Sequence, residues 1–267
     1  MPSKIVLLSI DPQNDFCDPN GALSVSGADK DMERLASMVK KNKSKIDDIF
    51  VTLDSHRTVH VAHPIWWVNT DGEHPAPFTI INKDDVCGSN PQWRSYNPGY
   101  QKWSEYYVSK LAENNRYPLC VWPPHCLIGS WGHAIYPVLF EALCEWEHQY
   151  ATVNYVTKGS NIRTEHYSAM QADVQDSDDN TTGLNTKLIE ELQTADIIAI
   201  SGEASSHCVK HTVMDIANNF GEENITKFVY LEDTSSPVPG FEAEAESFIK
   251  EMTDRGMKLA KAEDFLS

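Results

Sequence analysis

Five short runs of this chain are apolar and rich in β-branched residues, and they lack a clean polar alternation: residues 4–10 (KIVLLSI), 48–54 (DIFVTLD), 152–157 (TVNYVT), 196–202 (DIIAISG) and 227–233 (KFVYLED). A strand with one face in water alternates polar and apolar residues, so runs of this kind read as strands covered on both faces. Between and after them, residues 31–43, 185–195, 207–220 and 241–256 carry apolar side chains at helical spacing, the last with Gly256 as a stop. Strands that alternate with helices must be joined by crossovers. The rhythm therefore predicts an α/β fold, a three-layer α/β/α arrangement around a mainly parallel central sheet. In such sheets ligands and chemistry gather beyond the carboxyl ends of the strands.

Residues 64–121 break the rhythm. They are rich in Trp, Pro, Asn, Gly and Tyr, with one short helix expected in the stretch SEYYVSKLAEN. We read them as a long insertion packed on the carboxyl edge of the sheet within a single domain spanning 1–267. A chain of 267 residues can bury a sizeable core. Twenty-two Lys and Arg against 39 Asp and Glu give a net charge of −17. That argues against nucleic acid and anionic membranes as partners, since both reward positive charge. No apolar run reaches membrane-spanning length, and the one at the N-terminus is too short for a signal peptide. The six cysteines are scattered, without a C-x-x-C pair. A reduced, cytoplasmic protein is the expectation, with Cys120, Cys126 and Cys144 as buried thiols and no role assigned to Cys17 or Cys87.

The strand ends carry the chemistry. Strand one ends in Asp11, strand two in Asp54, strand three in Lys158, and strand four runs through Gly202 into a turn carrying His207 and Cys208. Each has an ordinary explanation alone, because strand-end Asp residues cap loops and single lysines are solvated. Together on one rim they make a coherent set. An ammonium lowers the pKa of a neighbouring thiol, a carboxylate can take its proton, and a helix N-terminus offers free N–H groups to an oxyanion. Beside them, Asp54, His56, His60 and His63 share one segment, while His125 and His133 follow in VWPPHCLIGSWGH. Carboxylate and imidazole ligands suit Zn, Fe or Mn, but the spacing matches no standard zinc motif, so ordinary loop histidines stay open as a reading.

Five segments, IDPQNDFC, DSHRTVH, WPPHC, KGSNIRTEHYSAM and GEASSHCVKHTVMDI, occur in the order found in the isochorismatase-like cysteine hydrolases, and the chain resembles the nicotinamidase branch of that family. The resemblance implies a catalytic triad of Asp11, Lys158 and Cys208. It implies one divalent metal, zinc before iron or manganese, on Asp54, His56 and His125, with His60 as a candidate fourth ligand. It implies an oxyanion hole from the backbone N–H groups of Ala204 and Cys208, with a cis peptide between Glu203 and Ala204. Phe16 and Trp122 would sandwich a pyridine ring, with Tyr167 and His207 lining the pocket. The implied reaction is hydrolysis of nicotinamide to nicotinate and ammonia through a cysteine thioester, as in NAD salvage. A metal-free relative acting on another small amide or ureide is the alternative, and a non-catalytic subunit on the same fold a more distant one. The chain departs from the family pattern at Ser55 (usually Trp or Phe), Met170 (usually Phe) and Ser206 (commonly Asp). The stretch between His56 and His125 is also longer than usual. That length has two uses open to it: reshaping the pocket mouth, or an interface in a homo-oligomer.

Overall fold

The structure, a computed structural model, describes residues 3–114 and 116–267. Six parallel strands form the central sheet: β1 (Ile5–Ile10), β2 (Asp48–Asp54), β3 (Asn154–Lys158), β4 (Ile197–Gly202), β5 (Phe228–Leu231) and β6 (Lys258–Ala260). Their spatial order is β6-β5-β4-β1-β2-β3, and every neighbouring pair is parallel. The fold expected from the strand–helix rhythm is therefore present. Strand β6, only three residues long and partly exposed, was not among the strands expected.

The helices are α1 (Ala28–Asn42), α2 (Gln101–Glu113), α3 (Pro137–Glu147), α4 (Thr186–Gln193), α5 (Cys208–Phe220) and α6 (Glu242–Asp254). In α1, Ala28, Met32, Leu35, Ala36 and Val39 fall on one stripe and are buried. The stripe in α3 is Leu139, Ala142, Leu143 and Trp146, with Pro137 in the first turn, where its missing N–H costs nothing. These two helices pack together, whereas α4 and α6 each contact α5. Right-handed crossovers place the two groups on opposite faces, because the chain steps one way from β1 to β2 and the other way from β4 to β5. Burying each large apolar side chain of these stripes contributes about 1.5–3 kcal/mol.

One expectation about the sheet needs correcting. Strand β3 is not covered on both faces: Asn154, Tyr155 and Thr157 are exposed. It is an outer strand paired only with β2, so only its last residue, Lys158, is fully drawn inside.

Residues of the long segment after β2 form two small antiparallel pairs, Trp67–Val68 with Arg94–Ser95 and Ile80–Ile81 with Leu119–Cys120, plus α2. Trp66, Trp67, Trp93 and Tyr107 are buried there. The indole N–H of Trp66 donates to Ser104 Oγ (3.0 Å) and that of Trp67 to Val61 O (2.6 Å). Trp66 and Trp67 thus supply apolar bulk without leaving an orphaned donor. Among the described residues no helix is long and apolar enough to cross a membrane. Cys120 and Cys126 are buried as expected, whereas Cys144 is partly exposed on α3. Cys17 is buried in the helical turn Asn14–Cys17, and Cys87 is exposed at the end of another short turn, Lys83–Cys87.

Candidate active site and metal centre

Strand order decides where a site can form. After β1 the chain moves to β2 and β3 on one side, then crosses to β4 on the other, so the switch point lies between β1 and β4. Asp11 follows β1 and Cys208 follows β4, one on each lip of that crevice. Ile10 is in register with Gly202, and Asp54 with Lys158, so all four strands end at nearly the same height. Gly202 permits the approach. Its φ is +114°, and a Cβ there would fall 2.0 Å from Ile10 O.

Four groups converge on one ammonium. Lys158 Nζ lies 2.8 Å from Asp11 Oδ2, donates to Asp54 Oδ1 (3.1 Å) and to His166 O (2.8 Å), and sits 3.6 Å from Cys208 Sγ. Asp11 takes the left-handed φ of +45°, which Asp tolerates better than most residues. Thr52 fixes it there: its hydroxyl accepts the Asp11 N–H (3.0 Å) and donates to Asp11 Oδ1 (2.5 Å). Burial works against charge on Lys158, but Asp11 and Asp54 more than offset it and hold the ammonium well above the usual lysine range. Burial raises Asp11, with Asp54 adding to the rise and Lys158 opposing it. The Cys208 thiol is likewise pushed well up by burial, against the pull of Lys158. One lysine faces two carboxylates, so a resting thiolate would add a third buried negative charge. The thiol keeps its proton at rest.

Cys208 opens α5, and its Sγ stands at the positive end of that helix. The Glu203–Ala204 peptide is cis, as the resemblance implied. Among the described residues, the N–H groups of Ala204 and Cys208 make no backbone hydrogen bond, although Ala204 O accepts from His207 N (3.0 Å) and Val209 N (3.1 Å). Two N–H groups beside a buried thiol are what an oxyanion requires.

The second cluster adjoins the first through Asp54. Its Oδ2 lies 2.9 Å from His56 Nε2 and 3.3 Å from His125 Nε2, and the ligand atoms of the three residues lie within 4.8 Å of one another. Burial opposes ionisation of Asp54, yet His56 and Lys158 hold it well below the usual carboxylate range. His125 Nδ1 is 2.8 Å from Pro123 O, which fixes a proton there and turns the Nε2 lone pair toward Asp54. Among the described residues, both ring nitrogens of His56 are buried without a hydrogen-bond partner, although Nε2 stands 2.9 Å from Asp54 Oδ2. An orphaned imidazole beside a carboxylate and a second oriented imidazole fits a divalent ion. Gly159, at φ +82°, gives the cluster its room: a Cβ there would lie 2.8 Å from Asp54 Oδ1 and 3.1 Å from His56 Cε1.

His60 belongs to the same group of histidines, but its lone pair is already used. Its Nδ1 accepts from Ala62 N (3.2 Å), and its Nε2 is 3.1 Å from Thr164 O. His63 is differently placed. Its Nδ1 faces Thr58 O (3.1 Å), while its Nε2 is buried and without a partner. Burial, with His56 adding to it, lowers the pKa of His63 to about 3, so the ring is neutral and its Nε2 lone pair free. Of the other histidine in the sequence constellation, His133 Nε2 is engaged by Ser55 Oγ at 2.8 Å.

Between the two clusters lies a narrow slot of about 30 Å³ lined by Phe16, Trp122, Tyr167, His207, Ala204 and Cys208, together with Asp54 and His125. Phe16 sits edge-on to His125 (5.4 Å), and Trp122 is held by its N–H to Tyr167 OH (3.0 Å). Phe78, from the long segment, packs edge-on to Trp122 at 5.8 Å, so that segment supports this wall. Glu165 also lines the slot. Its Oε1 accepts His166 N (2.8 Å) and lies 3.7 Å from His56 Nε2, while Oε2 is buried without a partner. Neither Glu165 nor the lone pair of His63 was marked by the sequence. A much larger groove, about 670 Å³, lies beyond Tyr117, but Asp11, Lys158 and Cys208 do not line it, and the chemistry belongs to the slot.

A buried Asp–Lys–Cys set lies at the switch point of a parallel sheet and touches, through Asp54, a cluster of metal-ligand type, on the fold of the isochorismatase-like hydrolases. Within that fold the chain is similar to nicotinamidases, and the resemblance read from the sequence is borne out. It is 26% identical over 217 residues to the nicotinamidase of Escherichia coli, covering 80% of this chain and 76% of that one. It is 25% identical over 211 residues to that of Saccharomyces cerevisiae, covering 79% and 80%. The Acinetobacter baumanii nicotinamidase/pyrazinamidase structure superposes with a TM-score of 0.66 at 19% identity, covering 100% of both chains. The Pyrococcus horikoshii pyrazinamidase in complex with zinc superposes with a TM-score of 0.56 at 18% identity, covering 97% and 99%. No protein-family model matches the chain.

Proposed function

We propose that this chain hydrolyses nicotinamide to nicotinate and ammonia through a thioester on Cys208. The observation that carries the proposal is the reach of Lys158, whose ammonium touches Asp11, Asp54 and Cys208 at once. Phe16 and Trp122, both lining the slot, would take the aromatic ring between them, with the carboxamide directed at the thiol. Asp11 takes the thiol proton as sulfur attacks the carbonyl carbon. Lys158 balances the charge that this transfer moves between two buried groups. The N–H groups of Ala204 and Cys208 receive the oxyanion. When it collapses, the C–N bond breaks and Asp11 returns its proton to the departing nitrogen, which leaves as ammonia. Water then attacks the thioester, Asp11 again holds the proton, and nicotinate leaves as the thiol is restored.

Asp54, His56 and His125 would hold one divalent ion, with His63 the nearest free imidazole for a fourth position. When bound, such an ion supplies a Lewis acid for the ring nitrogen of the substrate. Zinc suits this mixed carboxylate–imidazole set, as do iron and manganese. All six cysteines are unpaired, which fits the reducing cytoplasm.

The test is release of ammonia from nicotinamide by the purified protein, with nicotinate as the matched product, in parallel with its metal content. Full activity in metal-free protein would favour the alternative, a relative acting on another small amide or ureide. No release from nicotinamide at any metal loading contradicts the proposal.

A further inference from the structure

One buried carboxyl next to the slot has no part in the reaction described above. Glu203 follows Gly202 at the end of β4, precedes the slot-lining Ala204, and is 0% exposed. Its main-chain N–H donates to Ile10 O (2.8 Å). Its Oε2 accepts the N–H of Ser236 (3.0 Å), while Oε1 is buried without a hydrogen-bond partner among the described residues. Ser236 O in turn accepts the N–H of Ser205 (2.9 Å). Both main-chain groups of Ser236 are thus spent on the two residues that flank Ala204. The Ser236 hydroxyl donates to Asp31 Oδ2 (2.5 Å) in the first turn of α1. Arg34 of the same helix holds Asp31 Oδ1 (2.5 Å) and Asp233 O (2.5 Å).

Two further bonds join the same segments, from Gly202 N to Thr234 O (3.1 Å) and from Val238 N to Ser206 Oγ (3.0 Å). The turn from Gly202 to Ser206 is therefore laced to residues 234–238 on both sides of Ala204. The N–H of Ala204 lies in the peptide plane it shares with Glu203, so whatever fixes Glu203 fixes its direction. Among the described residues, the only cation bonded to this group of carboxyls is Arg34, and its bonds go to Asp31 and Asp233. An ionised Glu203 would be a second buried negative charge with one hydrogen bond to support it. Burial first, and then Asp31, lift its carboxyl well above the usual carboxylate range, against the Ser236 N–H and Arg34. Glu203 is therefore a neutral acid, able to accept and to donate as an amide does.

We infer that Glu203 is a positioning residue for the oxyanion hole, tying the peptide that carries the Ala204 N–H, through Ser236, to Asp31 of α1. The inference rests on the proposed function and adds to it a residue that touches neither substrate nor nucleophile. Cutting the tie loosens the Ala204 N–H but leaves Phe16, Trp122 and the metal-ligand cluster in place. Removing an oxyanion donor outright costs about 10²–10³ in kcat, so loosening one should cost about tenfold. That cost falls on the tetrahedral species and spares binding of the ring.

The probes are pyridine-3-carbaldehyde and 3-methylpyridine, each read as a competitive inhibitor of nicotinamide hydrolysis by metal-loaded protein. With the aldehyde, the Cys208 sulfur bonds to the carbonyl carbon, the carbonyl electron pair moves to oxygen, the thiol proton passes to Asp11, and nothing leaves. The adduct thus holds an oxyanion, whereas 3-methylpyridine offers the same ring without oxygen. In Glu203→Met the ratio of the two inhibition constants should move about tenfold against the aldehyde, with kcat falling by a similar factor. An inhibition constant does not depend on how much of the protein is folded, so a variant that is merely less stable leaves the ratio where it was. Glu203→Gln, matching the neutral acid in shape and hydrogen bonding, should restore it. Ser236→Ala, which cuts the link to Asp31 and keeps both main-chain bonds, should move it in the same direction as Glu203→Met, and decides the matter if Glu203→Met does not fold. An unchanged ratio in Glu203→Met or in Ser236→Ala overturns this inference alone, as does a Glu203→Gln protein that behaves like Glu203→Met. Wild-type protein that releases no ammonia from nicotinamide overturns the proposed function, and this inference with it.

Discussion

The ammonium of Lys158 lies 2.8 Å from the carboxylate of Asp11, and the two side chains are only 2% and 0% exposed. A buried pair of this kind is a poor source of net stability, because desolvating both ions costs about as much as their attraction returns. Breaking it from one side is another matter. Lys158→Met leaves Asp11 and Asp54 together without their cation, and should destabilise the fold by about 3–5 kcal/mol in urea unfolding. Stability equal to wild type would show that the carboxylates do not depend on Lys158.

The raised pKa of Asp11 sets an acid limit on activity. As the proton acceptor Asp11 works only when ionised, so activity is full above its folded pKa and falls as pH drops through it. Burial first, and then Asp54, lift that pKa above the usual carboxylate value of about 3.9. The acid limb of kcat/KM should therefore lie above pH ~4, and Asp11→Asn should lower kcat by roughly 10²–10⁴. A profile flat to below that pH would remove Asp11 from the role.

The two histidines after His56 should separate in metal titrations. His63 Nε2 is buried and unpartnered, whereas the His60 lone pair is occupied by the Ala62 N–H. His63→Ala should weaken zinc binding, read by competition with a chromophoric chelator, by more than His60→Ala does. The reverse order would mean that His60 gives up its backbone bond to the ion.

Gly159→Ala tests the space beside the cluster. The new methyl would sit 2.8 Å from Asp54 Oδ1 at a backbone φ of +82°. A loss of about 1–2 kcal/mol from the left-handed backbone is expected, with a larger fall in zinc affinity because Asp54 and His56 must shift. Unchanged zinc affinity would show that the crowding relaxes elsewhere.

Asp173, in the groove beyond Tyr117, gives a pH signature separate from catalysis. Burial raises its pKa to about 7, against the pull of Arg116, whose Nε is 3.7 Å away. The folded protein then binds this proton more tightly than the unfolded chain does. Its contribution to stability is therefore greatest at low pH and declines from about pH 4, the unfolded value, up to about pH 7. Asp173→Asn should be relatively most stable above pH 7, with the difference from wild type narrowing as pH falls. A gap independent of pH contradicts the shift.

Much of this arrangement was legible in the chain itself, for identifiable reasons. Five strands announced themselves as apolar, β-branched runs, four of them because the sheet interior demands it and β3 despite its exposed outer face, and their carboxyl ends then pointed to Asp11, Asp54, Lys158 and Cys208. Strand β6 gave no such signal, since Lys258, Leu259 and Ala260 lie on an edge and need no burial pattern. Helix α3 was not among the expected helices, although Leu139, Ala142, Leu143 and Trp146 make a stripe along it. Which of His60 and His63 has a free lone pair depends on the carbonyls and amides of Thr58, Ala62 and Thr164, a matter of three dimensions. Glu165 was hidden for the same reason: a carboxylate seven residues after Lys158 gains meaning only when the loop folds back on His56. The departure at Ser206 was visible, but its bond from the N–H of Val238, more than thirty residues downstream, was not.

The central claim is that Cys208 carries the acyl group during hydrolysis of nicotinamide. The direct measurement is mass spectrometry of metal-loaded protein quenched during turnover, followed by peptide mapping. A nicotinoyl adduct on the Cys208 peptide, absent in Cys208→Ala along with ammonia release, is the predicted result. Sustained ammonia release by Cys208→Ala at unchanged metal content would contradict it.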